Sequence, residues 1–497
     1  MPRRWWALVA VGLATFMTYL DNNVTNVAIP TIQRSLHLSI AGLEWVVSSY
    51  ILAFAGLLLV GGKLADVYGR RRLFFAGLAV FTLASLGAGL AGSGGVLIGM
   101  RLLQGVGAAL LVPATLAIII ATFDNPRERT TAVGAWTAIG AMALAAGPLI
   151  GGFITQHLHW GWIFFINVPV GVVTFAIAAF AVQESRDTSA ARHLDLPGLV
   201  TSAVALFALT YALIEGHDQG WTSGAILGAF ALAAVAGAAF MAIEARSAEP
   251  MIPLSLFRFG AFSGGIGTMM LWAFGIFGIY FFTSIYLQQV LGFSPTKAGL
   301  AFVPMALSIA LFAAFGGPLA ARAGAHRLVA LGLVLDAVGL YLFARLGAGA
   351  TFADLMPGFL LFGAGSGLMN VPLTNAVIGA APRERSGIAS ALLNNSREVA
   401  GLLGITVIGA VLRTREGVAL RHGTLPNPAF LDGYHAGLAV TIALVIVGAA
   451  VGYAALRRAP RPEAVAVTAE PASPAVTELP AAAGIPAAEE AQAGARA

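Results

Sequence analysis

The chain has 497 residues, of which 58% are hydrophobic and only 10% are charged, and its mean hydropathy is +0.84. Soluble domains carry about a quarter charged residues, so this composition excludes a soluble protein and favours one that crosses a bilayer many times. The formal net charge of +5 does not indicate a nucleic-acid partner, because the basic residues lie in short segments between apolar stretches. The chain has no cysteine, which excludes disulfides and thiolate metal sites.

Apolar stretches of about 20 residues, the length that crosses a bilayer as a helix, recur along most of the chain. The first stretch follows a short basic start and continues past Asp21 without a small-residue cleavage site, so we interpret it as a membrane span and not as a signal peptide. Fourteen spans are predicted, which places both termini on the same side of the membrane: 6–28, 45–61, 73–91, 96–122, 132–154, 160–182, 196–214, 225–242, 262–286, 298–320, 328–346, 355–379, 387–411 and 436–456.

The distribution of Lys and Arg in the short loops predicts the orientation of these spans. With the N-terminus in the cytoplasm, nineteen basic residues fall on the inner side and six on the outer side. We therefore expect both termini to be cytoplasmic. The longest outer loop is predicted at about 413–434, and the sequence leaves open whether it is partly ordered. Residues 459–497 are rich in Ala, Pro and Glu without apolar periodicity, which predicts a disordered cytoplasmic tail.

The chain contains an internal repeat. The segment PRER at 126–129 recurs at 382–385, and GKLADVYGRRR at 62–72 aligns with GPLAARAGAHR at 317–327 at nearly the same separation. Eight predicted spans separate the copies, and an even number gives them the same orientation. This pattern predicts an all-α membrane protein with two six-helix bundles in parallel repeat, at 1–185 and 256–458, and a two-helix insert at 186–255.

Five segments, in order along the chain, resemble the major facilitator superfamily and, within it, the fourteen-span drug:proton antiporters. They are LDNNVTNVAIP at 20–30, GKLADVYGRRR at 62–72, RLLQGVGAA from Arg101, GPLIGG at 147–152 and WGWIFFINVPVG at 160–171. Val67 departs from the family pattern, which usually has a basic residue there. The resemblance covers about 5–456 and implies the major facilitator fold and transport driven by a proton gradient without a cofactor.

Asp21 lies deep in the first span. A charged side chain at the centre of a membrane helix costs about 2.5–3.5 kcal/mol on insertion scales, so it must face the bundle interior or a water-filled cavity. Thr25 follows one turn later, and Asn22 and Asn26 form an adjacent polar stripe. With the motif match, we expect Asp21 to carry the coupled proton and its three polar neighbours to line the substrate cavity. The alternative is a hydrogen-bonded cluster that serves only packing.

The loop after the second span contains Asp66 and Arg70, one helical turn apart. We expect Asp66 to pair with an arginine and to hold the two halves in one state, while Gly69 allows a tight turn. Gly62 occupies another marked position of the family motif. The alternative is that the basic residues of this loop act only as a topology signal.

Arg101 is an intramembrane charge in the fourth span. It is expected to act in proton coupling, as the partner of a proton-carrying acid or of an anionic substrate group. The alternative is a structural anchor that binds backbone carbonyl groups.

The fifth span contains Gly147, Pro148, Gly151 and Gly152. Proline bends a membrane helix, and small residues allow neighbouring helices to approach closely. The segment resembles a motif of antiporters, which implies a tight seal that limits proton leak. Ordinary small-residue packing is the alternative.

Aromatic residues gather in the ninth span. By family analogy Trp272, Phe277 and Tyr280 line the cavity and contact flat apolar or cationic compounds. Aromatic residues are also common against lipid, so that alternative stays open. The analogy places the eleventh span at the periphery, which argues against a transport role for its Asp336.

Arg397 and Glu398 are adjacent in the thirteenth span, so they project about 100° apart and are not expected to share one face. Glu398 is a candidate for a second proton or cation site, and Arg397 a candidate for the substrate cavity. Alternatively, each pairs with other residues near the inner end of the helix.

The sequence thus predicts a monomeric exporter in the bacterial cytoplasmic membrane that exchanges amphipathic organic compounds for protons. Its partners are then a small molecule, protons and the bilayer, with no nucleic acid, metal or cofactor. A dedicated exporter of one natural product is an open alternative, and the span-five motif disfavours an importer. The sequence offers no residues for an enzyme or an ATP-driven pump, because no HExxH, GxSxG or GxxxxGK[ST] motif occurs in it.

Overall fold

A computed structural model describes residues 2–186, 195–247, 250–382 and 385–457, and these residues form helices joined by short connections. The helices are α1 (Arg3–Leu36), α2 (Ile40–Tyr68), α3 (Arg70–Gly89), α4 (Gly94–Thr122), α5 (Pro126–His157), α6 (Trp162–Phe165), α7 (Asn167–Ala181), α8 (Leu196–Gln219), α9 (Gly224–Arg246), α10 (Gly260–Ile285), α11 (Pro295–Ala323), α12 (Ala325–Ala344), α13 (Phe352–Gly379), α14 (Ser386–Arg421) and α15 (Pro426–Leu456).

Thirteen of the described helical segments, with α6 and α7 counted as one, are long and apolar enough to cross a membrane. The 34-residue helix α1 is also long enough and differs from them by its polar cluster around Asp21. The predicted all-helical architecture is confirmed, and the helices correspond one by one to the fourteen predicted spans. Span six is interrupted near Ile166, which divides it into α6 and α7.

The helix ends follow local chemistry. Ser39, Ser93 and Ser294 precede α2, α4 and α11, and each side chain accepts a hydrogen bond from a backbone amide of the first turn. Gly69 alone separates α2 from α3 with a φ of 115°, and Gly324 alone separates α11 from α12 with a φ of 89°. Only glycine adopts such angles without steric cost. The two glycines occupy the same position of the repeat, as the parallel arrangement predicts.

Helix packing defines two bundles, a first bundle of α1–α7 and a second bundle of α10–α15. The inserted helices α8 and α9 pack on each other, and α8 also contacts α2 and α14. Each membrane-crossing segment reverses direction relative to the previous one. We call the side where α1 begins and α15 ends the terminal face, and the other side the opposite face.

The outer loop predicted at 413–434 is mostly helical. Helix α14 continues to Arg421 and α15 begins at Pro426, which leaves a connection of a few residues. The segment after Arg413 is rich in residues with high helix propensity, so the helix extends beyond the apolar stretch that defined the span. The predicted tail at 459–497 lies outside the described residues.

The described contacts between the two bundles lie from mid-depth to the opposite face. Gln288, in a π-helical turn after α10, donates to the backbone oxygen of Val27 at 2.8 Å, and Gln289 donates to Gln33 at 2.6 Å. Helix α5 packs on the start of α11, where the Thr296 amide donates to Gln156 at 3.1 Å. The bundles are therefore closed against each other at the opposite face.

Candidate functional site

Asp21 is buried at the centre of the first bundle, where α1, α4 and α7 converge. Its carboxylate forms an ion pair with Arg101 and accepts hydrogen bonds from Gln104 Nε2 at 3.0 Å and Asn167 Nδ2 at 2.8 Å. Hydrogen bonds from one guanidinium and two amides to a carboxylate are charge-assisted and stronger than hydrogen bonds between neutral groups. The predicted acid and the predicted arginine are thus direct partners.

Ser85 of α3 holds the two amides in place. Its hydroxyl accepts from Gln104 Nε2 at 2.8 Å and from Asn167 Nδ2 at 3.3 Å, and it donates to the backbone oxygen of Phe81 at 2.8 Å. Sequence reasoning did not single out these three polar residues. A signal was present, because Gln104 follows Arg101 by three residues on the same helix face, and Asn167 is an isolated amide in an apolar span.

Arg101 is fully buried and has several partners besides Asp21. Its Nε donates to the backbone oxygen of Val46 at 3.2 Å, and Nη1 donates to Gln104 Oε1 at 3.0 Å. The guanidinium lies over the Tyr50 ring, 4.4 Å from its centroid, and Nη2 has no hydrogen-bond partner among the residues that the structure describes. Both roles considered from the sequence, acid partner and backbone anchor, are therefore found in one side chain.

A second charged pair lies on α14, across the boundary between the bundles. Arg397 Nη2 contacts Glu398 Oε1 at 2.9 Å, and Arg397 is also hydrogen-bonded to Tyr19 of α1. The two side chains were expected to project apart and to pair with other residues or act separately, and the long arginine side chain nevertheless reaches its neighbour. Tyr50, whose ring lies 4.4 Å from the Arg101 guanidinium, is within electrostatic reach of both Asp21 and Glu398.

The polar residues that follow Asp21 on α1 differ in their contacts, because some donate hydrogen bonds to the backbone and others keep unpaired or partly exposed groups. Thr25 is fully buried and donates to the backbone oxygen of Asp21 at 2.7 Å, not to its carboxylate. Asn26 donates to the backbone oxygen of Asn22 at 3.2 Å, while its own Oδ1 is buried without a hydrogen-bond partner. Asn22 is only partly buried. The role of these residues in the substrate cavity stays a prediction.

Two of the three aromatic residues predicted to line the cavity lie inside the second bundle. Trp272 donates to Asp336 of α12 at 3.0 Å, and Tyr280 packs on Phe302 of α11 with ring centroids 4.7 Å apart. Phe277 lies against Gly401 of α14, one turn from the charged pair. Helix α10 is surrounded by α13, α14 and α15, so its aromatic residues point toward several neighbours and not toward one common surface.

The small residues of α5 make the close approaches predicted for them. A Cβ atom on Gly152 would overlap the backbone oxygen of Pro295, and one on Gly299 would overlap that of Pro148. These two contacts join α5 to α11 across the boundary between the bundles. Gly147 packs directly on Asn23 of α1 in the same way. The antiporter-like segment therefore lies in the closure at the opposite face.

A buried ion pair contributes to the same closure and was not expected from the sequence. Glu44 of α2 lies 3.3 Å from Arg413 of α14, with both side chains buried. The inserted helix α8 contacts the helices of both partners. Arg413 of α14 donates to the backbone oxygen of Leu213 at 3.4 Å, and Trp45 of α2 donates to Glu215 at 2.8 Å. Arg413 was missed because the prediction placed it in a loop.

The loop after α2 makes its described contacts within the first bundle. Asp66 forms an ion pair with Arg70 at 2.8 Å, as expected, and the Arg71 amide donates to Glu184 beyond the end of α7 at 3.1 Å. Gly69 makes the expected tight turn, and Gly62 lies in ordinary contact with Pro113 of α4. The predicted latch between the halves stays a prediction. Over the described ranges, no group of three or more His, Asp or Glu side chains could hold a metal ion.

Comparison with known proteins gives one family. The model of the Major Facilitator Superfamily matches residues 11–405 and 270–485. The puromycin resistance protein pur8 of Streptomyces alboniger is 35% identical over 450 residues, covering 90% of this chain and 89% of that protein. The tetracenomycin C resistance and export protein of Streptomyces glaucescens is 35% identical, covering 84% of this chain and 77% of that protein. The multidrug resistance protein Stp of Mycobacterium tuberculosis is 37% identical, with coverages of 82% and 75%.

Solved structures show the same fold. A bacterial homologue of the human lysosomal transporter Spinster, in an inward-facing and unoccupied conformation, superposes with a TM-score of 0.63 at 18% identity, covering 92% of this chain and 98% of that one. The POT family transporter PepTSo superposes with a TM-score of 0.68 at 15% identity, with coverages of 92% and 99%.

Proposed function

The chain belongs to the Major Facilitator Superfamily, and on that premise we propose that it exports amphipathic organic compounds across the bacterial cytoplasmic membrane in exchange for protons. The similar proteins include ones named for resistance to, or export of, antibiotics, which supports the direction of transport and the class of substrate. The working unit proposed is a monomer.

The observation that carries the proposal is the buried pair of Asp21 and Arg101, which faces the second pair of Arg397 and Glu398 across the boundary. A proton bound by Asp21 removes the negative charge that holds Arg101. The buried guanidinium then lacks its counter-charge, which is costly in a low-dielectric interior. Tyr50, which packs on Arg101, is also within electrostatic reach of Glu398. Protonation thereby changes the forces between the bundles, as coupled transport requires.

The transport cycle follows from this switch. We place the terminal face in the cytoplasm, following the excess of basic residues in the loops on that side. The closure then lies on the external side, and the ionised Asp21 of this state accompanies a substrate that enters from the cytoplasm. After the external side opens, protonation of Asp21 favours substrate release. The protonated carrier returns and delivers the proton inside, driven by the gradient, which is worth about 2.3 kcal/mol per charge at 100 mV.

A dedicated exporter of one natural product is a second candidate function. The names of the similar proteins favour it, because they include single-antibiotic proteins, such as those for puromycin and tetracenomycin C, beside a multidrug protein. A panel of unrelated cationic and neutral compounds distinguishes the two functions. Transport of only one structural class indicates the dedicated exporter, and transport of several classes indicates the multidrug exporter.

The experiment that tests the proposal is transport in proteoliposomes with an imposed pH gradient. Inside-out protein should accumulate a fluorescent cationic compound when the lumen is acidic, and the accumulation should collapse when nigericin exchanges protons for potassium. Accumulation that persists without any proton or ion gradient contradicts proton coupling, and the absence of accumulation of every compound in the panel contradicts export.

A further inference from the structure

Asp336 of α12 is fully buried inside the second bundle, although the family analogy places its helix at the periphery. Its Oδ2 accepts a hydrogen bond from Trp272 Nε1 of α10 at 3.0 Å. The Ser366 hydroxyl of α13 lies 3.1 Å from each carboxyl oxygen. Three helices of the bundle thus meet at one acid near the middle of their length.

Among the described residues, no cationic side chain forms an ion pair with this acid. Helix α10 contains no charged residue, and the cationic residues of α11 and α12 lie in the end turns of those helices: Lys297, Arg322, His326 and Arg327. His435 of α15 is hydrogen-bonded to the backbone oxygen of Leu346. The helices packed against Asp336 present hydrogen-bonding and apolar groups to it. Its carboxyl group is therefore affected by burial and by hydrogen bonds. The ionisable residues of these helices, apart from Asp336, are Tyr280, Lys297, Arg322, His326, Arg327, Tyr341, Asp354, Asp432, Tyr434, His435 and Tyr453.

The contrast with Asp21 indicates what the second site holds. Asp21 has a guanidinium and two amide donors, which match a carboxylate. Asp336 has one indole, one hydroxyl and the backbone amide of Ser366 but no cation, and an ionised carboxylate buried without a counter-charge is costly. A protonated carboxyl fits instead, because one oxygen accepts from Trp272 while the O–H donates to the Ser366 oxygen. We propose that Asp336 is a second proton-binding site of this transporter, loaded in the externally closed state and emptied once in each transport cycle.

A small cavity lies one helical turn from this carboxyl. It is lined by Ile276, Leu340 and Phe362, which follow or precede Trp272, Asp336 and Ser366 by four residues on their own helices. On all three helices that step leads toward the opposite face. The volume of about 30 Å³ has room for one water molecule, which needs at least about 10–15 Å³ by this measure.

Hydroxyl groups continue from the cavity to the opposite face. Tyr280, Thr283 and Tyr434 line the cavity, and Thr283 and Tyr434 share a hydrogen bond of 2.9 Å. Tyr286 stacks on Tyr434 with centroids 5.1 Å apart, and it donates at 2.8 Å to the backbone oxygen of the exposed Gly347 between α12 and α13. The proposed path of the proton between Asp336 and the external side follows this row of hydroxyls.

The donor helix connects the site to the transport cycle. Trp272 lies on α10, and the turn that follows this helix binds the first bundle through Gln288 and Val27. Opening of the opposite face breaks that contact and moves α10, so the indole that holds the Asp336 carboxyl moves with the gate. The alternative is a static staple between α12 and α13, which pack closely where Gly365 approaches the Asp336 backbone.

The test rests on the proposed function and measures the number of protons exchanged per substrate molecule in proteoliposomes. Asp336→Asn should still export substrate but should move one proton fewer than the wild type. Asp432→Asn, which removes an exposed acid of α15, should leave the ratio unchanged. An unchanged ratio in Asp336→Asn overturns the second site and leaves the proposed function intact. Absence of any proton exchange by the wild type refutes the proposed function itself.

Infrared difference spectroscopy gives a signal that would not change with substrate if Asp336 were only a static staple. Substrate addition to the wild type should remove or shift a protonated carboxyl C=O band, and this band should be missing in Asp336→Asn. If that variant does not fold, Ser366→Ala retains the acid and should shift the same band, because it removes one hydrogen-bond partner. A C=O band that does not change when substrate is added, or that has the same frequency in Ser366→Ala, contradicts the proposal.

Discussion

The closure at the opposite face provides a quantitative prediction. In Arg413→Gln, Glu44 loses its cationic partner inside the closed interface. Removal of one partner of a buried pair costs about 3–5 kcal/mol when the geometry is good. Here the contact is 3.3 Å and neither oxygen of Glu44 has an aligned hydrogen bond, so we expect a smaller loss. A loss of about 1–3 kcal/mol from the closed state corresponds to a population shift of roughly 5- to 150-fold toward the open state.

The chain has no cysteine, so this shift can be measured with two introduced spin labels. Leu90 and Leu425 are 70% and 73% exposed, and they follow α3 and precede α15 at the opposite face, one on each bundle. Double electron–electron resonance between spin labels at Leu90→Cys and Leu425→Cys should show a population with a long label-to-label distance, and this population should grow in Arg413→Gln. Arg415→Gln, which removes an exposed charge from the same helix, is the matched control and should leave the distribution unchanged.

The double variant Glu44→Gln/Arg413→Gln tests the cause of the shift. It buries no unpaired charge, so it should return part of the population to the closed state. Identical distance distributions for Arg413→Gln and Arg415→Gln would refute the reasoning, because the pair would then not stabilise the closure.

Three further predictions follow from the same geometry. Gly152→Ala places a methyl group against the backbone of Pro295, so it should open the opposite face and slow transport, whereas Gly134→Ala of the same helix, with open space around it, should do neither; the same label pair and initial export rates check this. Asp66→Asn breaks the ion pair with Arg70 and should slow transport while the dissociation constant for substrate changes little; equal rates reduce the loop to a topology signal. Tags on both termini and a label at position 70 should be reachable only from the cytoplasm, and an externally accessible C-terminus contradicts the orientation.

Much of the fold could be predicted because it depends on local properties of the chain. Apolar runs of membrane length located the fourteen helices, and the alignment of Gly69 with Gly324 located the parallel repeat that the structure displays. The errors arose where a helix leaves the lipid. The segment after Arg413 carries charges that read as a loop, but helix propensity and packing on α8 keep it helical.

The site could be predicted only in part, because a charged residue in a membrane span has a high energetic cost that indicates a special role, and a neutral polar residue does not. Asp21 and Arg101 were recognised from their cost in lipid, whereas Gln104 and Asn167, which complete the carboxylate site, depend on which helices converge. Trp272 illustrates the same limit, because its sequence position does not show that its indole donates to Asp336. Such contacts are set by rotation and packing of helices far apart in the chain.

The measurement that tests the central claim most directly is uphill export by Asp21→Asn in proteoliposomes with an imposed pH gradient. Asparagine keeps the shape and a hydrogen-bond acceptor for Arg101 but cannot take up and release a proton, so the variant should insert, bind some substrates and fail to concentrate them. Asp432→Asn should concentrate substrate like the wild type. If Asp21→Asn still accumulates substrate against its gradient, the buried pair is not the coupling site, and Glu398→Gln should then be the variant that fails.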